Sequence, residues 1–507
     1  MKNIKRPKVD INEYGYLILV LLLAFGLRVW ELESQSLWWD ELKTVFRAEL
    51  SFAELIQDLL EKRGHVPFYF WLMQGWGKLG LSSFNVRYFS VLWAVLGVAS
   101  IYRLGKMLAP RQKLAKTAVF LFTISPFHIW YSQEARMYTM LPTLITIGTV
   151  FLLLSLSRSR LIDWVGYGVV MLTVVYTHYF GVLILFTHTL FIILHIRFLR
   201  SKAAVWFLTA TTIGFGFSVY GFFIFRNGGY ENATPLWIQP ISWFDPILTL
   251  LAFSAGRTID STNLIFLWLF LLFCVGFIGA FLKPLRLPKL QNRLLKMWLF
   301  VPIFIVFAVS LESHRSFSLY NDRYLIISLP AFILLVAAGF SKIAERVKQR
   351  AFLPLLFVTV AGLSSFSLYN LYYEKAFARN DMRQLVEFLD EQVQTGDVIL
   401  GQNDVLLPLN HYAKQREARI PFIKLPPNYV TESERLVFNR LMVRQLEQAA
   451  VNGRFWYISQ TFKFSPHGFS NELDRPTDYR EQWLNENLNQ IESWEFPGVQ
   501  LSLFDAP

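Results

Sequence analysis

Cysteine is almost absent from this chain. The one cysteine among 507 residues, Cys274, lies within an apolar run, so a disulfide within the chain is excluded. Charged side chains are also scarce, at 17% of the residues, whereas 54% are hydrophobic and 17% are aromatic. Soluble globular proteins carry more charge and fewer apolar residues, so the composition indicates a membrane protein.

Several familiar signals are missing as well. The sequence contains no internal repeat and no low-complexity tract, and its C-terminal part lacks the glycine pattern of nucleotide-binding loops. No spacing of ligating side chains demands a metal site. The formal net charge of +12 would suit a nucleic-acid partner, but basic loops on the cytoplasmic membrane face account for it. We therefore expect no nucleic-acid partner.

Apolar runs recur over about three quarters of the chain. They predict a polytopic α-helical membrane protein, because lipid tolerates only helices and closed barrels. The pattern predicts about 11 spans, and up to about 13 if long runs are split. The first run follows a basic segment, Met1 to Val9, that has no cleavage site, so we interpret it as a retained span. The predicted spans begin near Tyr14, Asn85, Thr117, Met137, Asp163, Phe180, Ala204, Leu264, Met297, Tyr324 and Ala351.

The loops between these spans alternate in character. Every second loop is rich in Lys and Arg, as in residues 103–116 and 283–296, and the others hold aromatic, polar and acidic residues. Because basic residues accumulate on the cytoplasmic side, we predict a cytoplasmic N-terminus and an extracytoplasmic C-terminal portion. The expected location is the plasma (inner) membrane, crossed many times.

The composition changes after Tyr373, where charge density rises and apolar runs shorten. This change predicts a transmembrane domain over residues 1–373 and an extracytoplasmic soluble α/β domain over residues 374–507. In the soluble part, a helix capped by Asn380 or Asp381 is expected. The other elements expected there are strands at 398–400, 455–458 and 499–503, a long amphipathic segment after Ser433 and a helix around 483–488.

The first outer loop, residues 31–84, contains an element of its own. Ser51 and Glu54 have the spacing of a capping box, which predicts a short amphipathic helix that ends at Gly64. Its apolar face would carry Phe52, Leu55, Ile56, Leu59 and Leu60. This helix would lie along the membrane surface or pack on the membrane domain. Residues 240–255 predict a second interfacial helix or a short re-entrant one.

An acidic pair, Asp40 and Glu41, follows the first span and is flanked by Trp38 and Trp39. Carboxylates near a boundary between lipid and water have perturbed proton affinity, which suits them to acid–base chemistry. Asp40 is the candidate general base for an acceptor hydroxyl, and Glu41 orients it or is the lesser partner. The competing interpretation is a solvated loop end.

His65 lies in the same loop, just before the second span. A lone histidine is structural more often than it is catalytic, so both roles stay open. Asp40, Glu41 and His65 are also residue types that bind divalent metals, although their spacing does not require a metal.

A polar corner separates two spans on the predicted outer side. It places Glu134 and Arg136 beside aromatic rings that include Tyr131 and Tyr138. Arg136 offers a planar fork of donors to phosphate or sugar oxygens. A local ion pair between Glu134 and Arg136 is the alternative.

Two further arginines lie near the predicted outer ends of spans, Arg28 in the first and Arg323 in a later one. Snorkelling to the interface explains such positions, but cations on this side oppose the charge bias and suggest an anionic ligand such as a lipid phosphate. His178 and Tyr179 fill a very short outer loop and are candidates to line the same cavity.

Three segments, residues 37–41, 65–67 and 127–138, together resemble glycosyltransferase family 39. These GT-C membrane enzymes include protein mannosyltransferases and lipid A aminoarabinose transferases. The resemblance covers the membrane region and is strongest between Leu27 and Tyr138. Family members commonly have a His-Pro-Pro sequence, in which Val66 here replaces the middle proline.

The resemblance implies a sugar donor carried on a polyprenyl phosphate and an inverting transfer to a glycan, lipid or protein acceptor. Asp40 would take the acceptor proton while arginines stabilise the departing lipid phosphate. Residues 1–373 would then be a GT-C catalytic domain. The resemblance implies the polyprenyl-phosphate sugar as donor substrate and names no cofactor besides it. Whether the enzyme uses a divalent metal is left undecided by the sequence. The alternative function is a transporter or flippase of lipid-linked sugars, although no matched pair of broken helices marks an inverted repeat.

Overall fold

The computed structural model describes fourteen ranges of the chain: 11–62, 65–109, 113–226, 241–259, 263–281, 287–312, 318–347, 351–378, 381–401, 403–417, 421–426, 432–449, 454–460 and 479–505. Some of the expectations above fall on residues outside these ranges, namely the basic N-terminal segment, Gly64, Pro240 and Asn380. The chain divides into two units. Unit 1 comprises Met1–Trp30 and Ala48–Leu368, and unit 2 comprises Glu31–Arg47 and Tyr369–Pro507.

Helices dominate the described residues. In chain order they are α1 (Ile11–Val29), α2 (Trp39–Glu49), α3 (Phe52–Lys62), α4 (Phe68–Gly77), α5 (Ser83–Leu108), α6 (Leu114–Thr123), α7 (Pro126–Ser132), α8 (Met140–Arg158), α9 (Leu161–Thr177), α10 (Gly181–Leu194), α11 (Ile196–Arg226), α12 (Asp245–Ala255), α13 (Leu264–Phe281), α14 (Lys289–Glu312), α15 (Asp322–Leu325), α16 (Leu329–Val347), α17 (Phe352–Tyr373), α18 (Met382–Gln392), α19 (Asn403–Gln415), α20 (Glu432–Ala449) and α21 (Tyr479–Asn487).

The predicted apolar runs all form helices. Within the described residues, seven stretches are long and apolar enough to cross a membrane: Ser83–Leu108, Met140–Arg158, Lys202–Phe223, Leu264–Phe281, Lys289–Leu311, Asp322–Val347 and Phe352–Tyr373. The runs near Tyr14, Thr117, Asp163 and Phe180 correspond to α1, α6, α9 and α10, which have 10 to 19 residues. The polytopic helical class is confirmed, and the total of about 11 spans stays a prediction.

The helix pair α13 and α16 forms a close crossing in unit 1. A side chain at Gly339 would collide with the backbone of Gly276, and a side chain at Gly279 would approach Gly339 within 3.2 Å. Small residues allow such close approach of helices in lipid. The stretch 322–347, which includes α16, is 94% buried in its apolar window, so it forms the centre of unit 1.

The capping box predicted in the first outer loop is present at the start of α3. Glu54 accepts a hydrogen bond from the Ser51 amide at 2.8 Å, and the Glu54 amide donates to Ser51 Oγ at 3.3 Å. Leu55 and Leu59 are fully buried, whereas Phe52 is 58% exposed. The amphipathic helix is therefore confirmed, but Phe52 does not lie on its buried face.

Unit 2 contains a five-stranded sheet with the order β2-β1-β3-β5-β4. The strands are β1 (Val398–Gly401), β2 (Phe422–Lys424), β3 (Arg454–Gln460), β4 (Asn489–Phe496) and β5 (Val499–Asp505). β1 pairs in parallel with β2 and β3, and β5 pairs antiparallel with β3 and β4.

Helices cover both faces of this sheet. On one face α18 and α19 contribute Leu385 and Leu409 to a core that includes Trp456, and on the other α20 and α21 contribute Met442 and Leu484. Asp381 caps α18 by accepting from the Gln384 amide at 3.2 Å, as the sequence predicts. The α/β class of the C-terminal part is thus confirmed, whereas the domain boundary at residue 373 stays a prediction.

Candidate active site

The polar corner between two spans is built on the short helix α7. Ser125 caps this helix by accepting from the His128 amide at 3.4 Å, and Pro126 occupies its first position, where a missing amide proton costs nothing. After α7 the chain turns through Gln133, whose side-chain Nε2 donates to the carbonyls of Arg28 and Trp30 at 3.3 and 2.7 Å. These contacts fix the turn that carries Glu134 and Arg136.

Arg136 meets His65 in this part of unit 1. The distance between Arg136 Nη2 and His65 Nε2 is 3.0 Å. Because a guanidinium has only donors, His65 accepts at Nε2 and carries its proton on Nδ1. The hydroxyls of Tyr179 and Tyr220 donate to the His65 carbonyl at 3.4 and 3.1 Å. Three separate outer loops of the predicted topology therefore converge on His65.

Two more arginines lie beside the rings of the same corner. The Arg257 guanidinium is 5.6 Å from the Tyr131 ring centroid, and the Arg323 guanidinium is 5.8 Å from that of Tyr138. The two tyrosine rings pack edge to face with centroids 5.3 Å apart. These distances allow cation–π attraction, which is stronger in a desolvated site. We call Arg136, Arg257 and Arg323 the arginine cluster.

The arginine cluster is buried. Arg136, Arg257 and Arg323 are 1%, 3% and 4% exposed. Buried charges require compensation. Asp322 forms an ion pair with Arg257, and both side chains are almost fully inaccessible. Glu134, 2% exposed, accepts from Trp130 Nε1 at 3.1 Å. Among the side chains that the structure describes in this corner, three cations thus accompany two carboxylates.

His178 adds an uncharged side chain to this corner. Its ring lies 5.2 Å from the Tyr324 ring and 6.4 Å from the Tyr138 ring. Burial, together with the charges of Arg136 and Arg323, lowers the pKa of His178 to about 3. Burial also raises the pKa of Tyr131, despite the opposing effect of Arg257. At neutral pH, His178 is therefore neutral and Tyr131 is a protonated hydroxyl.

Arg257 follows directly after α12, the helix within the stretch predicted to be interfacial or re-entrant. Gly256 ends α12 with φ 82° and ψ −159°, a backbone conformation that is essentially restricted to glycine. A Cβ at this position would lie 2.7 Å from Pro126 Cβ and 3.0 Å from Ser367 Oγ. The next residue, Thr258, donates from Oγ1 to the Ser367 carbonyl at 2.6 Å. These constraints hold Arg257 against α7.

The substitution Gly256→Ala is expected to destabilise the protein by about 1–3 kcal/mol, because it combines backbone strain with a collision against Pro126. The midpoint of thermal unfolding measures the effect. Gly362→Ala is the matched control, since a Cβ there meets nothing within 4 Å and α17 gains a better helix former. Equal unfolding midpoints for the two variants would contradict the constraint at Gly256.

Asp40 and Glu41 belong to unit 2, in the first turn of α2. The Trp38 amide donates to Glu41 Oε2 at 3.3 Å, so fully buried Glu41 closes the start of its own helix in the manner of a capping box. The Asp40 side chain is 21% exposed and lies 4.0 Å from Lys43 Nζ. The positive end of the helix dipole stabilises negative charge at both positions.

Arg28, the other arginine predicted to face a ligand, is fully buried in unit 1. Its guanidinium donates to the carbonyls of Ala24, Phe122 and Thr123 and to His128 Nδ1, at 3.0 to 3.3 Å. Burial and the charge of Arg28 place the pKa of His128 well below its usual range, which suits the accepting nitrogen. These contacts hold α1 against α6 and α7, and a ligand-binding role for Arg28 stays a prediction.

Most of the predicted ligand residues of unit 1 come together: His65, Tyr131, Glu134, Arg136, Tyr138, His178, Tyr179 and Arg323. The predicted Glu134–Arg136 corner is present, whereas Arg257 and Tyr324 were not among the predicted residues. Arg257 could have been found in the sequence, because it is a cation that follows an apolar run in a loop predicted to lie on the outer side. Across the described residues no group of three or more His, Cys, Asp or Glu could hold a metal ion.

Comparisons with known proteins identify the fold. A family model described as dolichyl-phosphate-mannose-protein mannosyltransferase matches residues 64–220. The structure of ArnT from Cupriavidus metallidurans bound to undecaprenyl phosphate is similar, with 13% identity and a TM-score of 0.59 over 96% of this chain and 98% of that one. AglB from Archaeoglobus fulgidus, in complex with an inhibitory peptide and a dolichol-phosphate, gives 11% identity and a TM-score of 0.56 over 89% of this chain and 69% of that one.

No curated protein matched the sequence. The family model and the solved structures agree on one superfamily, so the chain has the fold of the GT-C glycosyltransferases. The resemblance inferred from the sequence motifs is confirmed at this level. With its apolar helices, the chain is an integral membrane protein.

Proposed function

We propose that this GT-C chain is a membrane glycosyltransferase that moves a sugar from a polyprenyl-phosphate donor to a hydroxyl group of an extracytoplasmic glycan, lipid or protein. The observation that carries the proposal is the arginine cluster, a buried set of cations walled by aromatic rings within a fold of this class. Burying three guanidinium groups is costly unless anions compensate them. A lipid-linked phosphate supplies both the charge and the apolar chain that such a site favours.

The chemistry follows from where charge changes. The acceptor oxygen attacks the anomeric carbon of the sugar, and the bond from that carbon to the phosphate oxygen breaks with inversion. The leaving polyprenyl phosphate keeps the bonding electron pair and gains one negative charge. In a water-excluded site, fixed cations stabilise this developing charge more than the ground state, which lowers the barrier. Arg136, Arg257 and Arg323 are the groups proposed for this role.

The acceptor proton needs a base. We assign this role to Asp40, which lies at the positive end of a helix dipole and is partly accessible, and we assign to Glu41 the task of fixing the helix start. His65 accepts from Arg136 through its imidazole, and Tyr179 donates to the His65 carbonyl, so we assign to both the task of supporting Arg136.

We further propose which side of the membrane the active site faces. The loops that charge alternation assigns to the outer side meet around His65 and the arginine cluster, which supports an active site that faces outward. From the charge alternation alone we propose that residues 374–507 also face outward and that the N-terminus is cytoplasmic. Lipid-linked donors of this kind would then be used on the extracytoplasmic face of the plasma membrane.

Cells that lack the gene are expected to lose one sugar from an extracytoplasmic glycan, lipid or protein and to accumulate its prenyl-linked precursor. Mass spectrometry of envelope glycans and of lipid-linked sugars measures both changes. Complementation with the wild-type gene is the control. A transporter or flippase defect would instead trap the precursor in the inner leaflet, and unchanged glycans together with unchanged precursor levels would contradict the transferase.

A further inference from the structure

The segment that carries Asp40 is joined to residues of unit 2 that lie more than 300 positions later in the chain. The Leu37 amide donates to the Tyr412 hydroxyl at 2.7 Å across a separation of 375 residues. Ser36 Oγ donates to Asp381 Oδ1 at 2.9 Å and accepts from the Arg383 amide at 3.1 Å. Ser36, Leu37 and Tyr412 are at most 3% exposed, so water does not substitute for these bonds. We call these three hydrogen bonds the latch.

The residues on the far side of the latch are themselves firmly held. Asp381 caps α18, and its amide donates to the Pro497 carbonyl, in the two-residue turn between β4 and β5, at 2.8 Å. Tyr412 lies on α19 and packs in the core beside Leu409. The anchoring points therefore move only if the α/β core moves.

The latch ends where α2 begins. The carbonyl of Trp38, the next residue after Leu37, accepts the first hydrogen bond of the helix from the Leu42 amide at 3.0 Å. The Trp38 amide donates to the Glu41 carboxylate. Asp40 is the second residue of α2, so the position of Leu37 fixes the origin of the helix and the direction in which the Asp40 carboxylate leaves it.

From this arrangement we infer that Tyr412 and Asp381 are positioning residues for Asp40, which gives the C-terminal α/β part a direct role in glycosyl transfer. The inference rests on the proposed function, in which Asp40 is the base. A base must lie within hydrogen-bond reach of the proton that it removes, and a displacement of about 1 Å lowers the rate by about 100-fold. A latch that is buried and anchored in a core provides this precision.

Tyr412→Phe removes one hydroxyl and keeps the ring. In the full-length protein in lipid nanodiscs, we expect kcat to fall by about 10- to 100-fold because Asp40 is misplaced, while KM for the lipid donor is unchanged. Hydrogen–deuterium exchange of residues 36–46 should be faster in this variant, since the Leu37 amide loses its acceptor. Tyr457→Phe is the matched control, because Tyr457 is equally buried but belongs to the core on the opposite face of the sheet.

A pair of substitutions at Asp381 separates charge from hydrogen bonding. Asn retains the Oδ1 acceptor for Ser36 and is a good helix cap, so Asp381→Asn should keep kcat near that of the wild type. Asp381→Ala loses the acceptor and should lower kcat as Tyr412→Phe does. Because Asp381 also caps α18, hydrogen–deuterium exchange of residues 36–46 is compared with that of the core strand β3 in both variants. Faster exchange in Asp381→Ala that is confined to residues 36–46 and absent from β3 is an outcome that a generally damaged fold does not give.

The outcomes distinguish the latch from the proposed function. Unchanged exchange of residues 36–46 in Tyr412→Phe would overturn the latch itself. Faster exchange with wild-type kcat, or equal losses of kcat in Tyr412→Phe and Tyr457→Phe, would overturn positioning and leave the transferase standing. A wild-type protein that transfers no sugar from polyprenyl-phosphate donors would overturn the proposed function, and with it the positioning role, whatever the exchange data show.

Discussion

Asp40→Asn is expected to abolish glycosyl transfer, with kcat reduced by about 10²- to 10⁴-fold or more, the range that general-base catalysis supplies. The asparagine amide has the shape of the carboxylate but cannot take the acceptor proton. Binding of the polyprenyl-phosphate donor should persist, because the proposed phosphate ligands are the arginines of unit 1. Steady-state transfer and equilibrium donor binding, measured on the same preparation, test both statements.

Glu41→Gln is the matched control for this substitution. Gln retains an oxygen that accepts from the Trp38 amide, and Gln is as suitable as Glu in a capping box, so transfer should be much less affected. Full activity in Asp40→Asn would remove Asp40 from the mechanism. Loss of transfer in Glu41→Gln with activity retained in Asp40→Asn would make Glu41 the base.

The fold could be predicted where one physical requirement dominates the sequence. A helix in lipid must be apolar along its length, so the runs that begin near Asn85, Leu264 and Tyr324 are visible without tertiary information. The strand β4 could not be predicted. Its first five residues are exposed, and its pairing with β5 is irregular between Gln490 and Glu492, so it lacks the alternation that marks a half-buried strand.

The candidate site was predictable where its residues are concentrated in sequence and where single polar residues stand in predicted outer loops or at span ends, as His65 and Arg323 do. Glu134 and Arg136 share a short corner with Tyr131 and Tyr138, which makes the corner recognisable locally. Arg257 is separated from Tyr131 by 126 positions, and only the tertiary fold brings the two together at 5.6 Å. The latch depends on still longer separations, up to 375 residues, for which the sequence offers no local signal.

Arg28 shows the reverse difficulty. A charged residue near the end of a span predicts either snorkelling or a ligand, because both remove the cost of a buried charge. The structure satisfies Arg28 in a third way, with one backbone carbonyl of its own helix and two at the end of α6. Every residue has a backbone carbonyl, so the sequence does not indicate which carbonyls will accept hydrogen bonds from a buried guanidinium.

The substitution Arg257→Gln is expected to have the second large effect, a loss of donor affinity. Removing a buried, hydrogen-bonded charge from a binding site costs about 2–5 kcal/mol, which corresponds to a decrease of about 30-fold to several thousand-fold. The same substitution leaves the carboxylate of Asp322 buried without its ion-pair partner, which destabilises the fold by about 3–5 kcal/mol. Affinity and stability must therefore be separated.

The double substitution Arg257→Gln with Asp322→Asn separates them. Neutralising both partners removes the uncompensated buried charge, so the unfolding midpoint should recover toward that of the wild type while donor affinity stays low. Asp322→Asn alone keeps the Arg257 guanidinium and should still bind the donor. Titration with a polyprenyl phosphate and thermal unfolding of the same four proteins complete the cycle. If the double variant binds the donor as tightly as the wild type, Arg257 is a structural ion-pair partner, and the phosphate must be held by Arg136 and Arg323 without it.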